Sequence, residues 1–468
     1  MRLAPLLLAL AVALPASAAQ RDTHIPDASL KVAETLRERA LADDTAWKLV
    51  ESLTTEVGPR PAGSDADMRA VKWAEAKFKQ LGYDSVRLEP VAIRKWVRRS
   101  ERGEVLGAHA QPLTLTALGG SPGGTVEGEV VRFADFASLE AAADGSLAGR
   151  IAFVDYRMQA SREGSDYRTG SQIRGRGPTA AIKKGAVGFL MRSAGTDHTR
   201  RSPHTGGTRF ADGVVPVLSA ALSNPDADQL ARLVAIGPTR VRVALDTGWE
   251  GEATSYNVIG EIRGRSKPDE VVMIGGHLDS WDLGTGAIDD GAGIGITMAA
   301  VALIGQLKNA PARTIRVVAF ANEEHGLDGG RTYAQSQANN ITRHQLMAES
   351  DFGAGRIYAF NTSAPTHALA AERQIADALK PLGIELTDKG GPGPDLGPFA
   401  QLGAAWAYLA QDGTDYFDYH HSPDDTLDKI DPEALKQNAA AYAVFAYLAA
   451  DAAGDFGSEA KVATPPRE

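Results

Sequence analysis

The chain has no cysteine among its 468 residues. Disulfides and thiolate ligands are therefore excluded, and any metal must be held by histidine nitrogen and carboxylate oxygen. A basic excess is also missing: 49 Lys and Arg face 59 Asp and Glu, a formal net charge of −10. With a pI near 5.6, no nucleic-acid partner is expected. The one basic run, Arg94-Lys-Trp-Val-Arg-Arg99, reads as a solvated hairpin. Past the first residues no apolar run is expected to span a membrane, and there is no internal repeat. What does stand at the start is Met1-Arg2, an apolar stretch to Leu14, and Ala16-Ser17-Ala18. That is the pattern of a cleavable signal peptide, residues 1–18, and it predicts a secreted or periplasmic protein. The length exceeds the ~250–300 residues at which one core stops growing, so more than one domain is expected.

Helical spacing predicts helices at 27–40, 45–56 and 65–81, followed by a strand at 85–93. Gly58-Pro-Arg-Pro-Ala-Gly-Ser64 interrupts them. From about 100 to 250 the chain turns glycine-rich, with short β-like runs and two helical patches, 178–185 and 224–235. This reads as an inserted domain, assigned to residues 106–250. The flanking parts, 19–105 and 251–455, form one discontinuous domain, and 456–468 is a flexible tail. Beyond Val271 strands and helices alternate, which predicts an α/β sheet with helices on both faces.

The chemistry gathers at the ends of these later strands. Val271-Val-Met-Ile-Gly-Gly276 reads as a buried strand, with His277 and Asp279 on one face just beyond it. A glycine-rich loop then delivers Asp289 and Asp290. Glu323-Glu324 follows the strand ending at Phe320, and Asp351 and His420-His421 follow later elements. Each is ordinary alone: paired acids at a strand end are usually solvated, and Asp424 or Asp425 could make 420–426 a capped surface loop. Together they place imidazoles and carboxylates along one sheet edge, where α/β folds bind ligands. Histidine with carboxylate suits zinc, whereas magnesium prefers oxygen donors and water. Two zincs ~3.5–4 Å apart need a bridging carboxylate, and hydrolysis needs a further carboxylate off the metals to move the proton.

Gly276-His-Leu-Asp-Ser-Trp-Asp-Leu-Gly-Thr-Gly-Ala-Ile-Asp-Asp-Gly291, Asn322-Glu-Glu-His-Gly326, Glu349-Ser-Asp351 and His420-His-Ser-Pro-Asp-Asp-Thr426 resemble the dizinc exopeptidases of metallopeptidase family 28. The likeness covers nearly the whole mature chain. It implies a three-layer αβα zinc-exopeptidase domain (phosphorylase/hydrolase-like) with an inserted β-rich protease-associated domain. It also implies two zinc ions per chain. His277, Asp289 and Asp351 would hold one, and Asp289, Glu324 and His421 the other, with Asp289 bridging. Glu323 would be the general base and Asp279 the partner of His277. A cis peptide at Asp289–Asp290 and a homodimer are implied in the same way. The substrate is expected to be a dipeptide or short peptide; removal of N-terminal residues from longer peptides is the alternative. A non-catalytic binding scaffold or a single-zinc acyl transferase are the rivals from other classes. His198, Arg200, Arg201 and His204 form a polar loop that could reach the cleft and grip a substrate carboxylate. Asp395 and Tyr416 are candidates to line it, and His325 is expected to pack rather than ligate.

Overall fold

The structure, a computed structural model, describes residues 22–459; the expected signal peptide lies outside them. Two strands set the layout. Ser85–Val105 and Arg240–Ile262 run antiparallel along almost their full lengths, from Ser85 opposite Glu261 to Val105 opposite Val241. The basic run expected to be a hairpin is instead the middle of this ribbon. Facing acids make that possible: Lys95 reaches Glu250 at 3.0 Å, Arg99 reaches Asp246 at 3.2 Å and Arg98 reaches Asp282 at 3.0 Å. Two bulges, between Arg94 and Trp96 and between Arg98 and Ser100, bend the strand there.

At one end of the ribbon, Arg240–Ile262 pairs antiparallel with Arg313–Phe320. Lys267–His277 follows parallel to that strand, and His344–Glu349 parallel to the next. Their side chains alternate between two apolar clusters. Val272, Ile274, Ile315, Val317 and Leu346 join one, with residues from the helices Asp27–Leu41, Ala292–Gly305 and Pro432–Asp451. Val271, Met273, Val318, Phe320 and Met347 join the other, with Tyr333 and Phe399 from the helices Asp328–Gln337 and Gly397–Gln401. The period of two along each strand thus builds a helix layer on either face of the sheet. The stretch Ala287–Gly305 is long and apolar enough to cross a membrane, contrary to expectation, but it is wholly buried. It is apolar all round because sheet and helices enclose it.

At the other end, Arg240–Ile262 pairs with Gly124–Phe133. Ile151–Val154, Gly188–Arg192 and Leu218–Leu222 continue in parallel, and Leu115–Ala117 closes antiparallel; with Gln111–Leu113, paired to Ser85–Val105, the sheet has 11 strands among the described residues. This segment carries the helices Tyr167–Lys183 and Asn224–Ile236, so it is α/β rather than β-rich. The first helix starts well before the expected residue 178 because packing overrides its poor propensity. A Cβ on Gly170 would lie 2.6 Å from Met158 Sδ, and one on Gly177 2.5 Å from the Phe189 ring. The tail also differs from expectation through residue 459. Phe456 is fully buried, its N–H donates to Gln345 Oε1 at 3.3 Å, and the Glu459 N–H donates to the Gly403 carbonyl at 3.0 Å.

The loop after His277 is held from two sides. Arg60, wholly buried, donates from Nε to the Leu278 carbonyl at 2.5 Å, from Nη1 to Thr285 at 2.7 Å and from Nη2 to Gly286 at 2.8 Å. Asp425 accepts the Ile288 N–H at 2.7 Å and the Asp289 N–H at 3.3 Å. It thereby caps the loop bearing Asp289 and no helix of its own. Replacing Arg60 with Met would strand three buried carbonyls, each worth ~1–3 kcal/mol unpaired. The Arg60→Met variant should therefore lose about 3 kcal/mol or more in urea unfolding; a midpoint equal to wild type would show the loop holds without it.

Candidate metal centre

Three parallel strands end at one place. His277 is the last residue of its strand, Glu323 and Glu324 follow Phe320, and Asp351 follows Glu349. The Asp289 carboxylate sits between them, and the Asp289–Asp290 peptide that follows it is cis. Its Oδ1 lies 3.0 Å from His277 Nε2, which is 3.6 Å from Asp351 Oδ1. Its Oδ2 lies 3.2 Å from His421 Nε2, which is 3.0 Å from Glu324 Oε2. One carboxylate thus serves two donor groups, one oxygen to each. His420 Nε2 is farther from Asp289, at 3.5 Å, and the His420 ring stacks on His421 with centroids 3.5 Å apart.

The surroundings orient these groups. His277 Nδ1 faces the Asp279 backbone carbonyl at 3.1 Å and Asp279 Oδ1 at 3.7 Å, leaving Nε2 toward Asp289. Asp279 Oδ1 also accepts the Glu323 N–H at 3.1 Å. Asp290 accepts the N–H groups of His277 and Gly293, at 3.0 and 3.1 Å. Burial holds the Glu323 carboxyl well above the usual carboxylate range, His277 opposing and the Glu324 and Asp351 charges adding to it. Against burial, His277 and His421 hold Asp289 well below that range. Burial likewise opposes a charged His421, yet Glu324 and Asp289 raise it to about 9.

These observations test whether a cation fits. Buried carboxylates draw protons onto both imidazoles, which shows that the cluster lacks positive charge. The Glu324 Oε1 atom is buried without a partner. Among the described residues, His277 with Asp289 and Glu324, His277 with Asp290 and Asp351, and Asp289 with His420 and His421 bring ligand atoms within 4.8 Å of one another. Imidazole plus carboxylate, without sulfur, fits zinc.

The centre opens on a cleft of about 2200 Å³ that Glu323, Asp351, Tyr416 and His421 help to line. Asp395 is behind it, fully buried, with Oδ1 accepting the Gly330 N–H at 3.2 Å. His325 packs against Trp281, ring centroids 4.4 Å apart. The loop expected to grip substrate does not line the cleft. Arg200 is taken up by Asp197 and by Asp424 at 3.5 Å, Arg201 by Asp226, and His204 is buried. Asp226, in the helix Asn224–Ile236, and Asp424, past His421, come from elsewhere in the chain and are out of sight of local spacing. Of the arginines that line the cleft, Arg174, on Tyr167–Lys183, stands beside His421. Its Nη1 is 3.4 Å from His421 Nδ1, and its Nε is buried without a partner. No local motif marks Arg174, which meets His421 across 247 positions of sequence.

The chain is similar to known proteins. Residues 257–446 match the model of peptidase family M28. Carboxypeptidase Q of Mus musculus is 32% identical over 404 residues, covering 85% of this chain and 84% of that protein. The chain belongs to peptidase family M28. It is a metallopeptidase of that family, whose members depend on zinc. A crystal structure of a peptidase M28 precursor from Shewanella amazonensis SB2B is 46% identical, covers 94% of this chain and 99% of its own, and superposes with a TM-score of 0.88. A zinc aminopeptidase from Bacillus subtilis shares the α/β fold at a TM-score of 0.61 and 18% identity, over 86% of this chain and 94% of its own.

If the cluster holds divalent cations, removing them leaves its acids uncompensated. At 100 times the dissociation constant each bound ion adds ~2.7 kcal/mol to stability. The melting temperature should therefore fall on exhaustive chelation and recover with added zinc; an unchanged melt would exclude tight binding at these residues.

Proposed function

We propose that the chain is a secreted dizinc exopeptidase that hydrolyses dipeptides or short peptides. The observation that carries this reading is the Asp289 carboxylate, with one oxygen toward His277 and Asp351 and the other toward Glu324 and His421. His277, Asp289 and Asp351 would hold one zinc, and Asp289, Glu324 and His421 the second. Bound there, the two ions would polarise the scissile carbonyl and acidify the attacking water.

Glu323 lines the cleft and takes no part in either donor group. Its raised proton affinity suits a group that removes a proton from water and returns it to the departing amine as the C–N bond breaks. Asp279 would fix this geometry twice, accepting the Glu323 N–H and facing the His277 ring. Arg174 supplies a positive charge beside His421, suited to the free carboxylate of a peptide's C-terminal residue. That favours dipeptidase or carboxypeptidase-like action. The breadth of the cleft, about 2200 Å³, exceeds the ~300–1,000 Å³ of common small-ligand sites and supports the second reading, an aminopeptidase taking longer peptides. The segment 106–250 is read as a protease-associated domain inserted in the peptidase domain of 19–105 and 251–455. A homodimer and export through a cleaved signal peptide complete the proposal.

Glu323→Gln should retain its metal and lose roughly 10²–10⁴-fold in kcat, measured on a dipeptide panel; normal turnover would remove Glu323 from the proton path. Arg174→Met should raise KM about tenfold or more for peptides with a free C-terminus and leave C-terminal amides unchanged, as a lost charge-assisted bond of ~1.5–3 kcal/mol requires. Equal effects on both substrates would assign Arg174 elsewhere.

A further inference from the structure

The two imidazoles of the centre are held from different parts of the chain. His277 is oriented by Asp279, two residues away in the same loop. His421 is oriented by Thr205, from the segment between the ribbon strands. The Thr205 N–H donates to the His421 carbonyl at 2.8 Å, and His421 Nδ1 lies 3.3 Å from the Thr205 carbonyl. These two contacts hold the ring with Nδ1 toward Thr205 and Nε2 toward Glu324 and Asp289.

The grip extends along the loop. His204 is buried, and burial lowers it to about 4, so its ring is neutral. Its Nδ1 lies 2.6 Å from the His420 carbonyl and donates to it. A Cβ on Gly195 would come within 2.3 Å of His204 Nε2, so the ring lies flush against bare backbone. The Thr205 hydroxyl donates to the Ala117 carbonyl at 2.8 Å and receives Arg98 Nη2 at 3.0 Å. The Thr196 N–H donates to the Phe417 carbonyl at 3.0 Å, its hydroxyl to Asp418 at 2.6 Å, and Ser202 donates to Asp424 at 2.6 Å. The loop needs such a hold, because His421 has a φ of 60°, left-handed for a residue with a side chain, at a cost of ~1–3 kcal/mol.

We infer that residues 193–206 are a positioning element for His421, so that zinc at Asp289, Glu324 and His421 depends on this segment while zinc at His277, Asp289 and Asp351 does not. His204 and Thr205 are positioning residues: neither lines the cleft, and they act through the His420 carbonyl and the backbone and ring of His421. The inference rests on the two-metal reading above and adds that the two sites load unequally when the segment is altered.

The test is zinc retained by the full-length mature chain against a graded chelator, with far-UV circular dichroism as the check on folding. Wild type should release two zinc ions. His204→Phe, which fills the space without a donor, should weaken one of the two by about 10–100-fold and leave the other unmoved. His204→Asn, whose amide N–H can stand where Nδ1–H does, should restore it. Thr205→Val removes one hydroxyl and gives the same selective loss if His204→Phe does not fold. Two zincs held as in wild type by both His204→Phe and Thr205→Val, or two zincs weakened together, would overturn the inference. A wild type that binds one zinc or none would overturn the two-metal reading first, and this one with it.

Discussion

Unpaired negative charge, buried at the carboxyl ends of three strands, is the constraint on which the rest of this structure depends. Asp289, Glu324 and Asp351 converge on two imidazoles, with Glu323 beside them. Carboxylates leave water reluctantly and repel one another at such range. A fold that brings them together must supply opposing charge and rigid backbone donors. The donors are visible. Asp290 takes two N–H groups, Asp425 takes two more, and Arg60 fastens the carbonyls of the intervening loop. Opposing charge comes in part from protons on His277 and His421, the place a divalent cation would fill.

The two halves of the centre differ in what keeps them in shape. The His277 half is built from His277 at the end of its strand, with Asp279 two residues on, and from Asp351 just past the end of the next strand but one. The His421 half depends on a loop with a left-handed ligand residue and on contacts from a segment more than 200 positions away (216 between Thr205 and His421). A site made in this way couples a distant segment to the chemistry without any residue of that segment reaching the scissile bond.

Much of this arrangement was legible in the sequence, for a physical reason. Strand ends are marked by apolar runs stopping at glycine or acid, so His277, Glu323-Glu324 and Asp351 could be placed along one edge from local pattern. Local pattern offers His420 and His421 as a pair, and the choice of His421 rests on the family resemblance. The roles of Arg60, Arg174, His204 and Asp425 were not legible, because each acts on backbone or rings far away in the chain and carries no local spacing. Arg94–Arg99 misled in the other direction. A run of charges reads as a turn unless the acids that face it are known, and those lie on Arg240–Ile262. The helix Tyr167–Lys183 was hidden by its glycines, which packing against Met158 and Phe189 demands.

The ribbon of Ser85–Val105 and Arg240–Ile262 carries a mechanical consequence. It is a pair of strands, 21 and 23 residues long, that runs on through two bulges from one part of the sheet into the other. Bending it would break cross-strand hydrogen bonds in series, whereas a linker would yield at one residue. The gap between Arg174 and the sheet edge is accordingly spanned by paired backbone rather than by a linker.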